Sequence, residues 1–191
     1  MEHASIQAGK SFRQIIDRNI IWEKRINIMS ATMNNQNPKA NDEVIQWVTF
    51  KLDEEIYGIN VMQVQEVLRL TEIAPVPGAP DYVMGIVNLR GNVVTVIDTR
   101  KRFGLFQKEP DDATRIVIVE VDNQVIGMLV DSVAEVVNLR TSEIETTPNL
   151  GEDNESSKYI QGVHSQDENI LILVDVNKML TEREWDAVSG F

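Results

Sequence analysis

Residues 82–98 decide the fold: they read YVMGIVNLRGNVVTVID, two apolar runs around a short polar centre. The runs 83–87 and 93–97 are rich in β-branched residues and too short for ordinary helices, so they predict two strands. Gly91 can adopt the positive φ that a tight connection between them requires. The stretch therefore predicts a β-hairpin that displays Arg90 at its end, where a guanidinium can pair with a carboxylate or lie across a partner's surface.

The segments on either side of this hairpin continue the β pattern. Residues 46–52 and 56–61 predict two strands around a turn, and 64–70 predicts a further short segment. The proline-rich stretch 74–80 can continue neither a helix nor a central strand, so it predicts a rigid crossing loop. After the hairpin, 99–103 suits a single helical turn.

The two ends of the chain differ from this middle. Residues 1–43 are expected to form a mobile leader and linker, because their apolar spacing is irregular and they finish in a polar run. At the other end, Thr181 and Glu184 have the spacing of a helix capping box, and Trp185 is placed to anchor the tail, residues 184–191, to the body.

The chain also repeats itself. A shift of 69 residues places Gly58 on Gly127 and Glu66 on Glu135, and a shift of 77 places Gly85 on Gly162. The pattern predicts two copies of one five-strand unit, the first at about 44–108 and the second at about 114–178, with some strand exchange possible. The second copy carries a net eight extra residues (77 minus 69), assigned to an acidic loop at 149–158.

The repeat bears on the role of Arg90, which by itself could be only a solvated turn residue. The second copy keeps the hairpin frame but has Ser-Gln-Asp-Glu at 165–168 in place of residues 88–91. Since the frame does not need those four residues, an interaction role for Arg90 is favoured. A surface ion pair between Glu66 and Arg90 is the accompanying hypothesis, although the matching Glu135 leaves a structural role for Glu66 open.

Composition limits the classes of function. The 191 residues are 42% hydrophobic, enough for a packed core, and include no cysteine, which excludes disulfides, thiolate metal sites and cysteine nucleophiles. The net charge of −12 argues against nucleic acid or an anionic membrane as partner. No apolar run has membrane-spanning length and no signal peptide is visible, so a cytoplasmic protein without direct membrane insertion is expected.

A search for catalytic chemistry finds little. The histidines are His3 and His164, no pair of residues has metal-ligand spacing, and no phosphate-binding glycine loop is present, so neither metal nor cofactor is expected. Asp98 and Asp175 follow predicted strands and precede short helical turns, which favours a helix N-cap role for both. An enzyme is therefore not expected. The carboxylate-based alternative would require Asp98 or Asp175 in an apolar cleft beside a substrate pocket.

Five segments in order resemble the CheW-like domain family of bacterial chemotaxis coupling proteins: 57–59 (YGI), 64–67 (VQEV), 77–80 (PGAP), 85–91 (GIVNLRG) and 96–98 (VID). The resemblance covers about residues 44–183. It implies a mainly β fold of two SH3-like five-stranded barrels on a shared core, with short helical turns and a short C-terminal helix. The receptor-coupling positions that it implies are Val64, Glu66, Gly85, Asn88, Arg90, Gly91, Gly127, Val136 and Gly162.

The same resemblance implies the partners. It indicates a non-enzymatic scaffold that couples methyl-accepting chemoreceptors, through their cytoplasmic hairpin tip, to the regulatory domain of the histidine kinase CheA. Such a protein is cytoplasmic and is recruited to membrane receptor arrays by its partners. Kinase contacts are assigned only to a face of the first barrel. A CheW-like adaptor of a related pathway, controlling motility type or a second messenger, is the alternative.

Overall fold

The computed structural model describes residues 42–146, 158–166 and 169–189. Residues 1–41 of the predicted leader and residues 149–157 of the predicted acidic loop lie outside these ranges. The described part of the chain contains two helices, α1 (Thr99–Arg102) and α2 (Glu182–Ser189), and three 3₁₀ turns, Val61–Gln63, Thr141–Glu143 and Val176–Lys178. The same part contains ten strands: β1 (Val44–Leu52), β2 (Glu55–Asn60), β3 (Val64–Arg69), β4 (Val83–Leu89), β5 (Asn92–Asp98), β6 (Arg115–Val121), β7 (Gln124–Val130), β8 (Ser132–Arg140), β9 (Ile160–Gln166) and β10 (Asn169–Val174).

The predicted hairpin is confirmed as β4 and β5. Leu89 lies opposite Asn92, so Arg90 and Gly91 form a two-residue turn. Both have positive φ, 53° for Arg90 and 90° for Gly91, as tight hairpin turns of the I′ type require. The side-chain oxygen of Asn88 accepts the N–H of Gly91 at 2.8 Å and closes the turn.

The strands form two five-stranded sheets, which confirms the mainly β fold of two five-strand units. Sheet 1 has the order β8-β1-β2-β10-β9 and sheet 2 the order β3-β6-β7-β5-β4. The two five-strand units are consistent with the expected SH3-like barrels, but neither strand order returns to its first strand, so neither sheet forms a closed barrel. The outer strands β4 and β9 are extended only by single bridges, Ala74 to Ile86 and Glu145 to Val163.

Neither sheet corresponds to one sequence copy. Strands β1 and β2 of the first copy pair with β8 and β10 of the second, while β6 and β7 pair with β3 and β5. Each copy thus contributes its first two strands to the other copy's last three. The chain changes sheet at the 3₁₀ turn Val61–Gln63 after β2 and at Asp131 between β7 and β8, so the exchange happens at matching points of the repeat.

Side-chain alternation along the strands builds three apolar clusters. The largest joins both sheets and includes Phe50 and Ile59 from sheet 1 with Ile97 and Met128 from sheet 2. Two smaller clusters belong to one sheet each, one centred on Ile116 and Ile118 and the other on Trp47 and Leu173. The exchanged strands and the shared cluster make the two copies interdependent.

Helix α2 packs into the shared cluster through Trp185, as predicted, and Val188. Its predicted capping box is present, because the Glu184 carboxylate accepts the Thr181 N–H at 2.7 Å. The same carboxylate receives two hydrogen bonds from the Arg102 guanidinium of α1, at 3.0 and 3.1 Å. Arg102 thereby attaches the C-terminal helix to the first sequence copy.

Candidate functional site

The turn at residues 88–91, called the Arg90 turn below, presents a basic group at the end of sheet 2. Arg90 donates from Nη1 to Glu66 Oε1 at 3.1 Å and from Nη2 to Oε2 at 2.9 Å. The hypothesis of an ion pair between these residues is confirmed. The Arg90 side chain is 55% exposed and that of Glu66 14% exposed, so the carboxylate lies beneath a guanidinium that solvent can reach.

The strands explain this placement. Glu66 lies in β3, an edge strand of sheet 2, just after an irregularity in its pairing with β6 between Val64 and Glu66. Arg90 lies at the end of β4, the opposite edge strand. The bidentate pairing with Glu66 orients the planar guanidinium of Arg90. An exposed ion pair contributes only about 0–1 kcal/mol to stability, so the main effect of this contact is to fix the orientation of the guanidinium.

The remaining predicted site residues fall into other environments. Gly85, Gly127 and Gly162 are buried. A Cβ would lie 2.2 Å from the Ala74 carbonyl oxygen at Gly85, 2.8 Å from an Ile116 methyl at Gly127 and 2.6 Å from an Ile144 methyl at Gly162. Because glycine has no Cβ, neighbouring atoms can pack closely against the backbone at these three positions. This supports a role of the glycines in the fold and not in partner contact.

The two valines also differ from the Arg90 turn. Val64 is fully buried in the shared cluster, and Val136 is half-buried in β8 of sheet 1 and packs against that cluster. Glu135, the match of Glu66, is exposed in the same strand, and its backbone N–H and carbonyl bond the Thr49 hydroxyl at 3.1 and 2.9 Å. The structure therefore brings together Glu66, Asn88, Arg90 and Gly91, while the other five lie elsewhere.

Asp98 and Asp175, the two aspartates considered as possible catalytic groups, cap helical turns. Asp98 Oδ1 accepts the Lys101 N–H and Asp175 Oδ1 accepts the Asn177 N–H, both at 3.1 Å. This confirms the predicted N-cap roles. Asp98 also lines a cavity of about 310 Å³, but that cavity contains charged groups of Arg100, Lys108 and Asp131 and is not the apolar cleft that the enzyme alternative required.

The described residues contain no group of three or more histidine or carboxylate side chains that could hold a metal ion. His164 lies in β9, half-buried, with Nδ1 3.0 Å from the Glu143 carbonyl oxygen, so it makes a polar contact with the backbone. Within the part of the chain that is described, no helix has the length and apolar character needed to cross a membrane.

One polar network was missed at the sequence level. Arg100 is 8% exposed, and its guanidinium donates to both Asp131 oxygens at 2.7 and 2.6 Å, to Asp53 at 3.4 Å and to the Phe106 carbonyl at 2.7 Å. Burial raises the pKa of Asp131, but the hydrogen bonds from Arg100 and the Asp53 N–H outweigh it and hold that pKa below its usual 3.8. The basic run 100–102 was the available signal, and it indicated only a helical turn.

Comparisons with known proteins agree in family and in fold. Residues 46–184 match the CheW-like domain. The chain is 34% identical over 155 residues to the chemotaxis protein CheW of Treponema pallidum, covering 79% of this chain and 91% of that protein. Against CheW of Rhizobium meliloti the identity is 31%, with 73% and 90% covered. The crystal structure of scaffolding protein TtCheW from Thermoanaerobacter tengcongensis is similar, with a TM-score of 0.65, 33% identity, and 70% of this chain and 90% of that chain covered.

Proposed function

The chain belongs to the CheW-like domain family, and from this premise we propose that it is a chemotaxis scaffold that links chemoreceptors to the histidine kinase CheA. The relatives are named as chemotaxis proteins CheW, and the similar crystal structure is named as a scaffolding protein. The observation that carries the proposal to particular residues is the Arg90 turn. Its guanidinium is oriented by Glu66, and the Arg90 side chain is still 55% exposed.

The receptor contact is assigned to the Arg90 turn. The Glu66 carboxylate uses one edge of the guanidinium, so the planar face and the remaining N–H groups can lie across a helix of the receptor's cytoplasmic tip. Because the turn is tight, it loses little conformational entropy when a partner binds. Gly85, Gly127 and Val64 support this surface by packing within sheet 2, whereas Gly162 lies in β9 of sheet 1.

The kinase contact is assigned to a face of the first sequence copy, and the partner is the regulatory domain of CheA. No catalytic step is proposed, because Asp98 and Asp175 cap helical turns. The scaffold acts by holding two partners in a fixed geometry. In the proposal it is cytoplasmic and reaches the membrane receptor arrays through those partners.

The test is the charge reversal Arg90→Glu, with Arg140→Glu as its matched control. Arg140 is also an exposed arginine in an ion pair, 57% exposed and 3.3 Å from Asp42, but it lies in sheet 1. Binding of a soluble chemoreceptor cytoplasmic fragment, measured by calorimetry, should weaken at least about tenfold for Arg90→Glu, a change of about 1.4 kcal/mol or more, and less than about twofold for Arg140→Glu.

Thermal unfolding separates the possible explanations. Both variants should melt close to the unaltered protein, since an exposed ion pair contributes about 0–1 kcal/mol. Unfolding of Arg90→Glu would show instead that Arg90 is structural. Receptor binding equal to that of the unaltered chain would remove the Arg90 turn from the proposal.

A further inference from the structure

A pocket of about 400 Å³ adjoins the Arg90 turn. It is enclosed by the β4–β5 hairpin, the start of β3, the β6–β7 turn and the end of α2. Leu89 and Asn92, which line it, immediately flank Arg90 and Gly91, and Gln65, also in the lining, immediately precedes Glu66. The pocket and the ion pair therefore share the connection between β4 and β5.

None of the residues that line this pocket, called the hairpin pocket below, is charged, although the side-chain amide of Gln65 donates to the Glu120 carboxylate at 2.7 Å. Its apolar walls include Leu89, Val93, Val125 and Val188, and its polar groups are the side chains of asparagine, glutamine and threonine. A quarter of the residues in the chain are charged, so an uncharged surface site stands out. Apolar walls with a few orienting amides are typical of sites that take an apolar group from a ligand or partner.

The repeat within the chain shows that the fold does not require this neutrality. The 69-residue shift places Asn123 on Glu54 and Gln124 on Glu55. Sheet 1 thus carries two exposed carboxylates where the hairpin pocket carries two amides. The β1–β2 pair forms with the two carboxylates and the β6–β7 pair forms with the two amides. The amides are therefore a property of this pocket and are not required by the fold.

Three residues of the pocket lining are exposed, namely Asn92, Asn123 and the apolar Val93. Val93 at the start of β5 is 54% exposed, and the 77-residue shift places it on Ile170 at the start of β10, which is also 54% exposed. The far wall is held by α2, since the buried Thr95 hydroxyl donates to the Val188 carbonyl at 2.6 Å. The pocket is thus walled by a fixed helix end and opens beside an exposed apolar side chain.

We propose that the hairpin pocket takes an uncharged, apolar side chain of the chemoreceptor's cytoplasmic tip, next to the part of that tip that contacts Arg90. The inference rests on the proposed function and adds the chemistry of the contact. A receptor helix lying across the Arg90 turn passes Leu89 and Asn92 at once, because they are its sequence neighbours. The occupant is neutral because a charge would lose its hydration against the valine walls without a counter-charge in the lining.

The experiment compares Val93→Glu with Ile170→Glu, and Gln124→Glu with Glu55→Gln, in the full chain. All four are surface changes, and thermal unfolding of each checks that the fold is kept. Affinity is measured against a soluble chemoreceptor cytoplasmic fragment and, separately, against the isolated regulatory domain of CheA. Val93→Glu and Gln124→Glu are expected to weaken receptor binding at least about tenfold and Ile170→Glu and Glu55→Gln less than about twofold, with kinase-domain binding unchanged.

The other outcomes count against the inference in distinguishable ways. If the unaltered chain binds the receptor fragment and Val93→Glu behaves like Ile170→Glu, the pocket is not part of the contact, while the proposed function stands. If Val93→Glu weakens only the binding of the kinase domain, the receptor is the wrong occupant. If the unaltered chain does not bind the receptor fragment, both the inference and the proposed function fail.

Discussion

Three arginines show how environment decides what one residue type does. Arg90 is exposed at a turn and pairs with Glu66, whereas Arg102 attaches a helix and Arg100 is nearly buried among acceptors. A buried guanidinium is tolerated only when its charge and its N–H groups are satisfied. Asp131 provides that compensation for Arg100 at the point where the chain passes from β7 to β8.

The Asp131→Asn substitution tests this compensation at the residue scale. The pKa of Asp131 is lowered in the folded protein, so its contribution to stability is complete above the usual value near 4 and is lost as the pH falls through the lowered pKa. At pH 7 the variant should lose about 2–3 kcal/mol of unfolding free energy, because Arg100 keeps its charge without its main partner.

Urea unfolding at pH 7 and at pH 3 provides the measurement. The control is Asp112→Asn, a change of an exposed aspartate in the connection between α1 and β6. The difference between Asp131→Asn and the unaltered protein should shrink at pH 3, while Asp112→Asn should match the unaltered protein at both values. A difference that stays constant with pH would mean that the ionised carboxylate is not what stabilises Arg100.

At the scale of elements, α2 is short and its stability comes from its ends and its packed face. An isolated helix of this length is not stable in water, so Trp185 and Val188 in the core and the Glu184 cap have to hold it. Burial raises the pKa of Glu184, but the bonds from Thr181 and Arg102 lower it overall, as expected for a carboxylate that works in its ionised form.

Replacement of Glu184 by glutamine should loosen this helix. The change weakens the capping box and removes the ion pair with Arg102, with an expected loss of about 1–2 kcal/mol. Amide hydrogen exchange should accelerate within α2 more than in the strands. Glu182→Gln, an exposed change in the first turn of the same helix, should cost less than about 0.5 kcal/mol. Equal effects of the two substitutions would show that only the helix charge matters.

At the scale of the whole molecule, strand exchange makes the two sequence copies one folding unit. Strands β1 and β2 have ladder partners in β8 and β10, and the largest apolar cluster takes side chains from both sheets. In an isolated first copy, β1 would pair only with β2 and β4 only with β5, while β3 would lose its partner β6. A unit of about 65 residues divided in this way buries too little apolar surface to be stable.

A fragment of residues 44–108 is therefore expected to be unfolded, although it contains all five strands of the first copy. Far-ultraviolet circular dichroism and amide proton spectra of the fragment would test this. In the full chain, fluorescence of the tryptophans and circular dichroism should follow one urea transition. A cooperative transition in the isolated fragment would contradict the interdependence of the copies.

By itself, the sequence determined the local elements and their chemistry. The β4–β5 hairpin, the caps at Asp98, Asp175 and Thr181, the anchoring Trp185 and the pairing of Glu66 with Arg90 all follow from short-range patterns or from comparison of the two copies. Such features depend on backbone geometry within a few residues or on one internal match, so the sequence carries them directly.

Only the tertiary structure decided which strands share a sheet, which glycines are crowded and what lines the hairpin pocket. Strand partners depend on where the chain turns at Val61–Gln63 and Asp131, and two copies with the same apolar pattern can pair within or between themselves. The burial of Arg100 and the neutrality of the pocket arise from residues that are far apart in the chain. Their proximity is created by the exchanged ladders and the shared core, which no local pattern specifies.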